Sequence, residues 1–277
     1  MYAKPWPRTS LATLGGQVKY SLICVSPVQL DLTNGSPASV QGWATAGELR
    51  QTVDITVDRS PWNSSLGEWI SQYHWTDATC EPALRPVIPA MKVAYFVEVD
   101  EPDLSDLGTL QDAWACAHWL ISIGATAVLD RTAERWWSAE AVFSWGKWRT
   151  FSIEHEVAFI MLEHPTFEFV ASRGMAKFCR PDVLLHMPKG LPEPMMSNAR
   201  QLIRHVCHRL AMGEVIAAGM RVNNGFLSAD VLPFRVGRLN LPFSMAEDSL
   251  VLAPVLEPDT SIEADGKRPW WRRLLPR

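Results

Sequence analysis

The chain lacks the commonest local signatures of a reaction. No Walker A loop, no dinucleotide-binding glycine fingerprint and no Gly-x-Ser-x-Gly elbow occurs, so the common phosphate cradles and serine elbows are not available to it. Paired cysteine spacing is missing as well. Cys24, Cys80, Cys116, Cys179 and Cys207 are odd in number and scattered, which argues against a disulfide framework and for reduced thiols in a cytoplasmic protein. Cations are not in excess: 26 Lys and Arg stand against 30 Asp and Glu, a net charge of -4. A general nucleic-acid binder, which must neutralise phosphates, is therefore disfavoured. No apolar run approaches the about 20 residues of a membrane-crossing helix, and the first eight residues lack the apolar centre of a secretory signal. The expectation is a cytoplasmic protein with no cofactor and no metal.

What is present is an ordinary globular composition, 47% hydrophobic and 20% charged over 277 residues. That length accommodates one large domain or two modest ones. Thirteen tryptophans are the compositional oddity. Each indole brings a large apolar area and one N–H that needs a partner when buried, so it serves as a core anchor or an interface anchor. Trp136, Trp137, Trp145 and Trp148 fall within thirteen residues, and read either as a lid between two halves or as core filling.

The periodicity predicts strands at 18–25, 52–57, 92–99 and 127–130, each short, β-branched or aromatic and bounded by turn formers. A helix is expected over 106–123, with Ser105 as N-cap and Gly124 as its stop. Its apolar residues Leu107, Leu110, Trp114, Ala117 and Ile121 recur at steps of three and four, which predicts one buried face. Strand, helix and strand in that order place 92–99 and 127–130 parallel if they share a sheet. A hairpin of 157–163 with 166–171 follows, then a strand at 182–185, a helix over 194–212 with Pro194 in its first turn, and a strand at 215–222. The expected fold class is α+β with mixed sheets and packed helices. Its two halves are 16–150 and 151–256, after an irregular leader at 1–15 and before an acidic linker at 257–266. The last segment, 267–277, carries five cations and no anion around Trp270, Trp271, Arg272 and Arg273. Such a tail suits an anionic membrane surface, a groove on a partner or the chain's own acidic surface, or it is a silent solvated end.

Three clusters carry candidate chemistry. His205, Cys207 and His208 share one expected helix, with the two imidazoles on one face, but no third or fourth ligand is in view for zinc. Glu154, His155 and Glu156 open an expected strand, where alternation would pair the two carboxylates on one face. The most informative stretch is 173–182, which packs Arg173, Lys177 and Arg180 with Gly174, Pro181 and Asp182 between two apolar runs. Pro181 fixes its own φ and pushes Arg180 towards extended backbone, and Gly174 permits a φ that a Cβ forbids. Its three cations either converge on a carboxylate or phosphate or form an ion-paired structural turn.

The pattern Arg173-Gly174-Met175-x-Lys177-Phe178-x-Arg180-Pro181-Asp182, preceded by 124–130 and by Trp136-Trp137-Ser138, resembles a family of bacterial domains of unknown function. The likeness spans about residues 90–240 and departs from the family's pattern at Cys179, where a second glycine is expected, and at Ser172. It implies an intracellular bacterial α+β domain and no particular reaction. The leading functional expectation is a non-catalytic protein-interaction module with an as yet unidentified protein partner, such as an immunity or accessory factor. Its contact residues would be Trp136, Trp137, Arg173, Lys177, Arg180, Asp182 and the tail. The alternatives are an enzyme or small-anion binder built on Arg173, Lys177 and Arg180 with Glu154 or His155 as proton acceptor, and membrane attachment through the tail.

Overall fold

Ten residues, Gln17–Ser26, form the central strand β1, and their burial changes along its length: Gln17 and Lys19 are exposed, whereas everything from Tyr20 to Ser26 is buried. That change requires a sheet covered on both faces at one end and open at the other. The computed structural model describes residues 6–8, 17–33, 53–58, 79–102, 106–145, 150–163, 167–235 and 249–255. Its fold is α+β, with two sheets, and the chain divides into two compact units. The first comprises Met1–Ser152 with Ala176–Cys179, and the second Ile153–Met175 with Arg180–Arg277; the sequence reading had set its boundary at 150/151.

In the first unit β1 lies between β3 (Val93–Pro102) and β4 (Ala127–Asp130). β2 (Val53–Asp58) flanks β3, β5 (Arg135–Ser138) flanks β4, and every neighbouring pair is antiparallel. β3 and β4 are both antiparallel to β1 and hence parallel to one another, with β1 inserted between them. Helix α1 (Gly108–Ser122) covers the face that presents Tyr20, whose hydroxyl donates to the Thr109 carbonyl at 3.2 Å. The opposite face carries Ile23 and Val25 into a core with Leu84, Ile88, Met91, Leu129 and Trp136. α1 is buried almost all round, Gln111 and Asp112 included, which corrects the expectation of a single buried stripe: a helix with little exposed surface must accept polar groups inside. Its N-cap is Leu107, and Asp106 accepts the Gly108 N–H at 2.8 Å. Ser105, the expected cap, lies outside the described residues. Gly124 ends the helix at φ +119. Trp6, expected in an irregular leader, is buried, and its carbonyl accepts the Leu107 N–H. A short helix α2 (Ala139–Ser144) follows β5, with Ser138 as a true N-cap accepting the Ala141 N–H at 3.1 Å.

The second unit begins with a single helical turn α3 (Ile153–Glu156). Its sheet runs β6 (Ala158–Glu163), β7 (Phe167–Arg173), β8 (Val183–Pro188), β11 (Leu250–Val255), β10 (Ser228–Arg235), β9 (Arg221–Asn223). The β8–β11 pair is parallel and the others antiparallel, so this sheet is mixed. Helix α4 (Glu193–Ala211) buries Met196, Ala199, Leu202, Ile203, Val206, Cys207 and Leu210, the spacing of three and four that one packed face requires. Gly213 closes it at φ +93, its N–H on the Leu210 carbonyl at 2.9 Å. The strand expected over 215–222 is reduced to β9, because Gly219 turns the chain at φ +81 and its N–H joins the Val231 carbonyl. β10 contains Pro233 and slips register between Val231 and Arg235, as a residue without an N–H dictates. Among the described residues no helix is long and apolar enough to cross a membrane.

Candidate functional site

The 173–182 segment connects β7 to β8 through a 3-10 turn at Met175–Phe178. Gly174 enters it at φ +116, and Cys179 leaves it at φ +51, the left-handed region in which a side chain costs about 1–2 kcal/mol. Position 179 is where the resembled pattern places glycine, and the backbone here has the conformation glycine adopts most easily. Within the second unit the base of the connection is closed by Asp182, whose Oδ1 accepts from the Ser172 hydroxyl and from the Met175 N–H, both at 3.1 Å. Ser172 Oγ in turn accepts the Val183 N–H at 2.8 Å, and the Asp182 carbonyl accepts the Leu250 N–H at 2.8 Å. Three of these contacts satisfy backbone groups, the N–H of Met175, Val183 and Leu250, and the Ser172–Asp182 hydrogen bond aligns the two side chains that do so.

Residues Ala176–Cys179 belong to the first unit. There the Lys177 ammonium donates to Asp130 Oδ2, and both side chains are fully buried. Asp130 Oδ1 meanwhile accepts the N–H groups of Thr132 and Ala133 at 3.1 and 3.0 Å, so its two oxygens serve the buried cation and the β4–β5 turn at once. Phe178, also buried, meets Phe151 edge-on at 6.0 Å, and Phe151 meets Trp6 at 5.7 Å. The Arg8 guanidinium donates to the Phe178 carbonyl at 2.9 Å. For Lys177 this is the ion-paired alternative that the sequence left open beside the anion site. Lys177 is committed to Asp130, Arg180 is 3% exposed, and Arg173 is half-buried at the end of β7.

The remaining candidates fall in several places. Trp136 sits in the first unit's core; Trp137 is buried with its ring edge-on to Trp145 at 4.9 Å and under the Arg135 guanidinium at 3.7 Å. Both indoles fill core and offer little area to an outside molecule. Trp270, Trp271, Arg272 and Arg273 lie outside the described residues. The expected strand at 154–156 is instead α3, so the carboxylates do not alternate as on a strand: Glu156 is buried, and Glu154 pairs with Arg204 at 3.2 Å. His205 and His208 are both exposed on α4, and the partial desolvation of the His208 ring against the helix surface, with the nearby His205 charge, lowers its pKa. Among the described residues no group of three His, Cys, Asp or Glu side chains is placed to hold a metal ion. All five thiols are free and four are buried. Burial raises Cys80 to about 11 and Cys116 to about 12, and pushes Cys24 and Cys207 up as well. At neutral pH these four remain protonated and poorly nucleophilic.

Asp130 and Ser172 were missed by sequence reasoning as members of this site. Asp130 had the signal of an acidic residue closing a strand before a turn; Ser172 had none. Compared with protein-family models, curated proteins and solved structures, the chain matches none of them.

Proposed function

We propose that the chain is a non-catalytic protein-interaction module of a bacterial cytoplasm, an immunity or accessory factor that docks a partner protein on the β9 edge of its second sheet. The observation that carries this reading is Phe226, 74% exposed in the β9–β10 turn, with Val215 and Met220 also exposed just before β9. Three large apolar side chains are thus exposed within twelve residues around this edge strand, and they are the contact centre of the proposal. The bidentate Arg221–Asp230 pair, at 2.8 and 3.2 Å on the solvent side, supplies the polar rim such surfaces carry. β9 is only three residues long, so the edge is too short to invite indiscriminate strand pairing, and recognition rests on side chains. Five free cysteines, four of them buried, fit a reducing compartment and a role without a cysteine nucleophile.

The test is site-specific photo-crosslinking in the native host, with the reactive group at position 226 and, as control, at exposed Gln201 on α4. One dominant crosslinked protein at 226, reproduced with purified partner and weakened by Met220→Ser, is the expected result. Equal labelling at both positions, or none at 226, overturns the proposal.

A further inference from the structure

The core that covers one face of β1 ends before the strand does. Ile23 and Val25 pack into one cluster with Leu84, Ile88 and Met91 of the 79–91 segment, and Ser21 and Lys19 lie two and four residues earlier on the same face of β1. Beyond the edge of that cover the first unit has a concavity of about 400 Å³, within the range of about 300–1,000 Å³ typical of small-molecule sites. Lys19 and Ser21 form its floor. Glu98 and Asp100, directly opposite Ser21 and Lys19 in the β1–β3 ladder, form one wall, and Arg131 and Thr132, in the turn after β4, form the other.

The charges are sorted by strand. Asp100 is matched by Lys19 at 3.0 Å and accepts from Gln17. Glu98 and Arg131 have no ion pair or hydrogen bond from their side chains to any described residue. Glu98 is on β3 and Arg131 directly follows β4, and β1 lies between those strands, so about 10 Å of sheet separates their backbones and they face one space without closing on each other. The Ser21 hydroxyl at the floor is buried and has no hydrogen-bond partner among the described residues, a state that costs about 1–3 kcal/mol unless something satisfies it. Ser21 is also what leaves the space open, since a longer side chain at the middle of β1 would fill it.

We propose that this concavity binds a small zwitterion of the free amino acid kind, its ammonium against Glu98, its carboxylate against Arg131, and a polar atom on the Ser21 hydroxyl. A simple anion would leave Glu98 repelling it. A simple cation would meet Lys19 and Arg131. Only a ligand carrying both signs satisfies both walls. The site shares no residue with the β9 edge and stands independently of it.

The experiment is isothermal titration calorimetry of the full chain with glycine, L-alanine, L-lysine and L-glutamate, and with acetate and methylammonium as single-charge controls. Saturable binding of an amino acid, about tenfold tighter than either control, is expected. Arg131→Ala and Glu98→Gln should each weaken it about tenfold, and Ser21→Leu should abolish it. Arg131 and Glu98 are exposed, so those variants should keep the fold, with unchanged circular dichroism. No binding by any amino acid, binding equalled by acetate, or binding indifferent to Arg131→Ala and Glu98→Gln overturns the proposal.

Discussion

Asp130 and Arg131 are neighbours in the chain and have opposite fates. Asp130 is fully buried against Lys177 and braces the turn that follows it; Arg131 is exposed and stands on the wall of a concavity opposite Glu98. The last residue of β4 points into the first unit, and the next, already in the turn, points out. The first charge is compensated by its own chain and has become structure. The second is left for something else to compensate. Formal charge and spacing are the same kind of signal at both positions, so what separates a structural ion pair from a binding group is whether the fold supplies the partner.

The comparison breaks most decisively at the buried pair. Lys177→Ala should cost about 3–5 kcal/mol, because Asp130 is then a buried carboxylate without its cation. Lys177→Met with Asp130→Leu should recover only part of that loss, since an apolar pair needs no desolvation but leaves the Thr132 and Ala133 N–H groups without their acceptor. Denaturant melts of both variants check this, and an unstable double variant would show that the carboxylate's turn contacts matter more than the charge. Glu98→Gln, by contrast, should change stability by no more than about 0.5 kcal/mol, as an exposed group without an internal partner should.

A smaller effect is expected at the base of the 173–182 connection. Ser172→Ala removes the hydrogen bonds to Asp182 and Val183 and should cost about 1–3 kcal/mol, read from the same melts. Cys179→Gly should stabilise by about 1 kcal/mol or less. It removes the cost of a side chain at φ +51 and offsets it with a freer unfolded chain, whereas Cys179→Val should destabilise. The smallest effect is in pH. Burial lowers the His118 pKa in the folded protein, so the unfolded chain binds a proton first as pH falls below the ordinary imidazole value near 6.5. Stability is full above that pH and declines below it, and His118→Gln should flatten the decline in melts between pH 7.5 and 5.5.

Much of the fold was legible because it rests on short periods. β1, β2, β4 and α4 fall within one or two residues of their expected bounds, and β3 runs three residues past its expected end, since two-residue and 3.6-residue repeats, Gly124 and Gly213 are all local signals. β10 and β11 were not legible because Pro233 and Pro254 interrupt their pattern, and pairing across the sheet overrides that interruption. β5 was hidden in Arg135-Trp136-Trp137-Ser138, where aromatic bulk says buried without saying how. The candidate site divided the same way. Gly174, Pro181 and the specified bend of 173–182 could be read from residue types; Lys177 on Asp130 could not, and neither could the opening above Ser21.

The sequence alone determined the α+β alternation, the helix ends, the bend at Gly174 and the lack of any run long enough to cross a membrane, all properties of neighbours within a few residues. Only the tertiary structure decided which charges are buried, which pair and which stay open. Asp130 and Lys177 are 47 residues apart, Glu98 and Arg131 line one concavity from either side of an intervening strand, and desolvation depends on everything packed around a group rather than on what precedes or follows it in the chain.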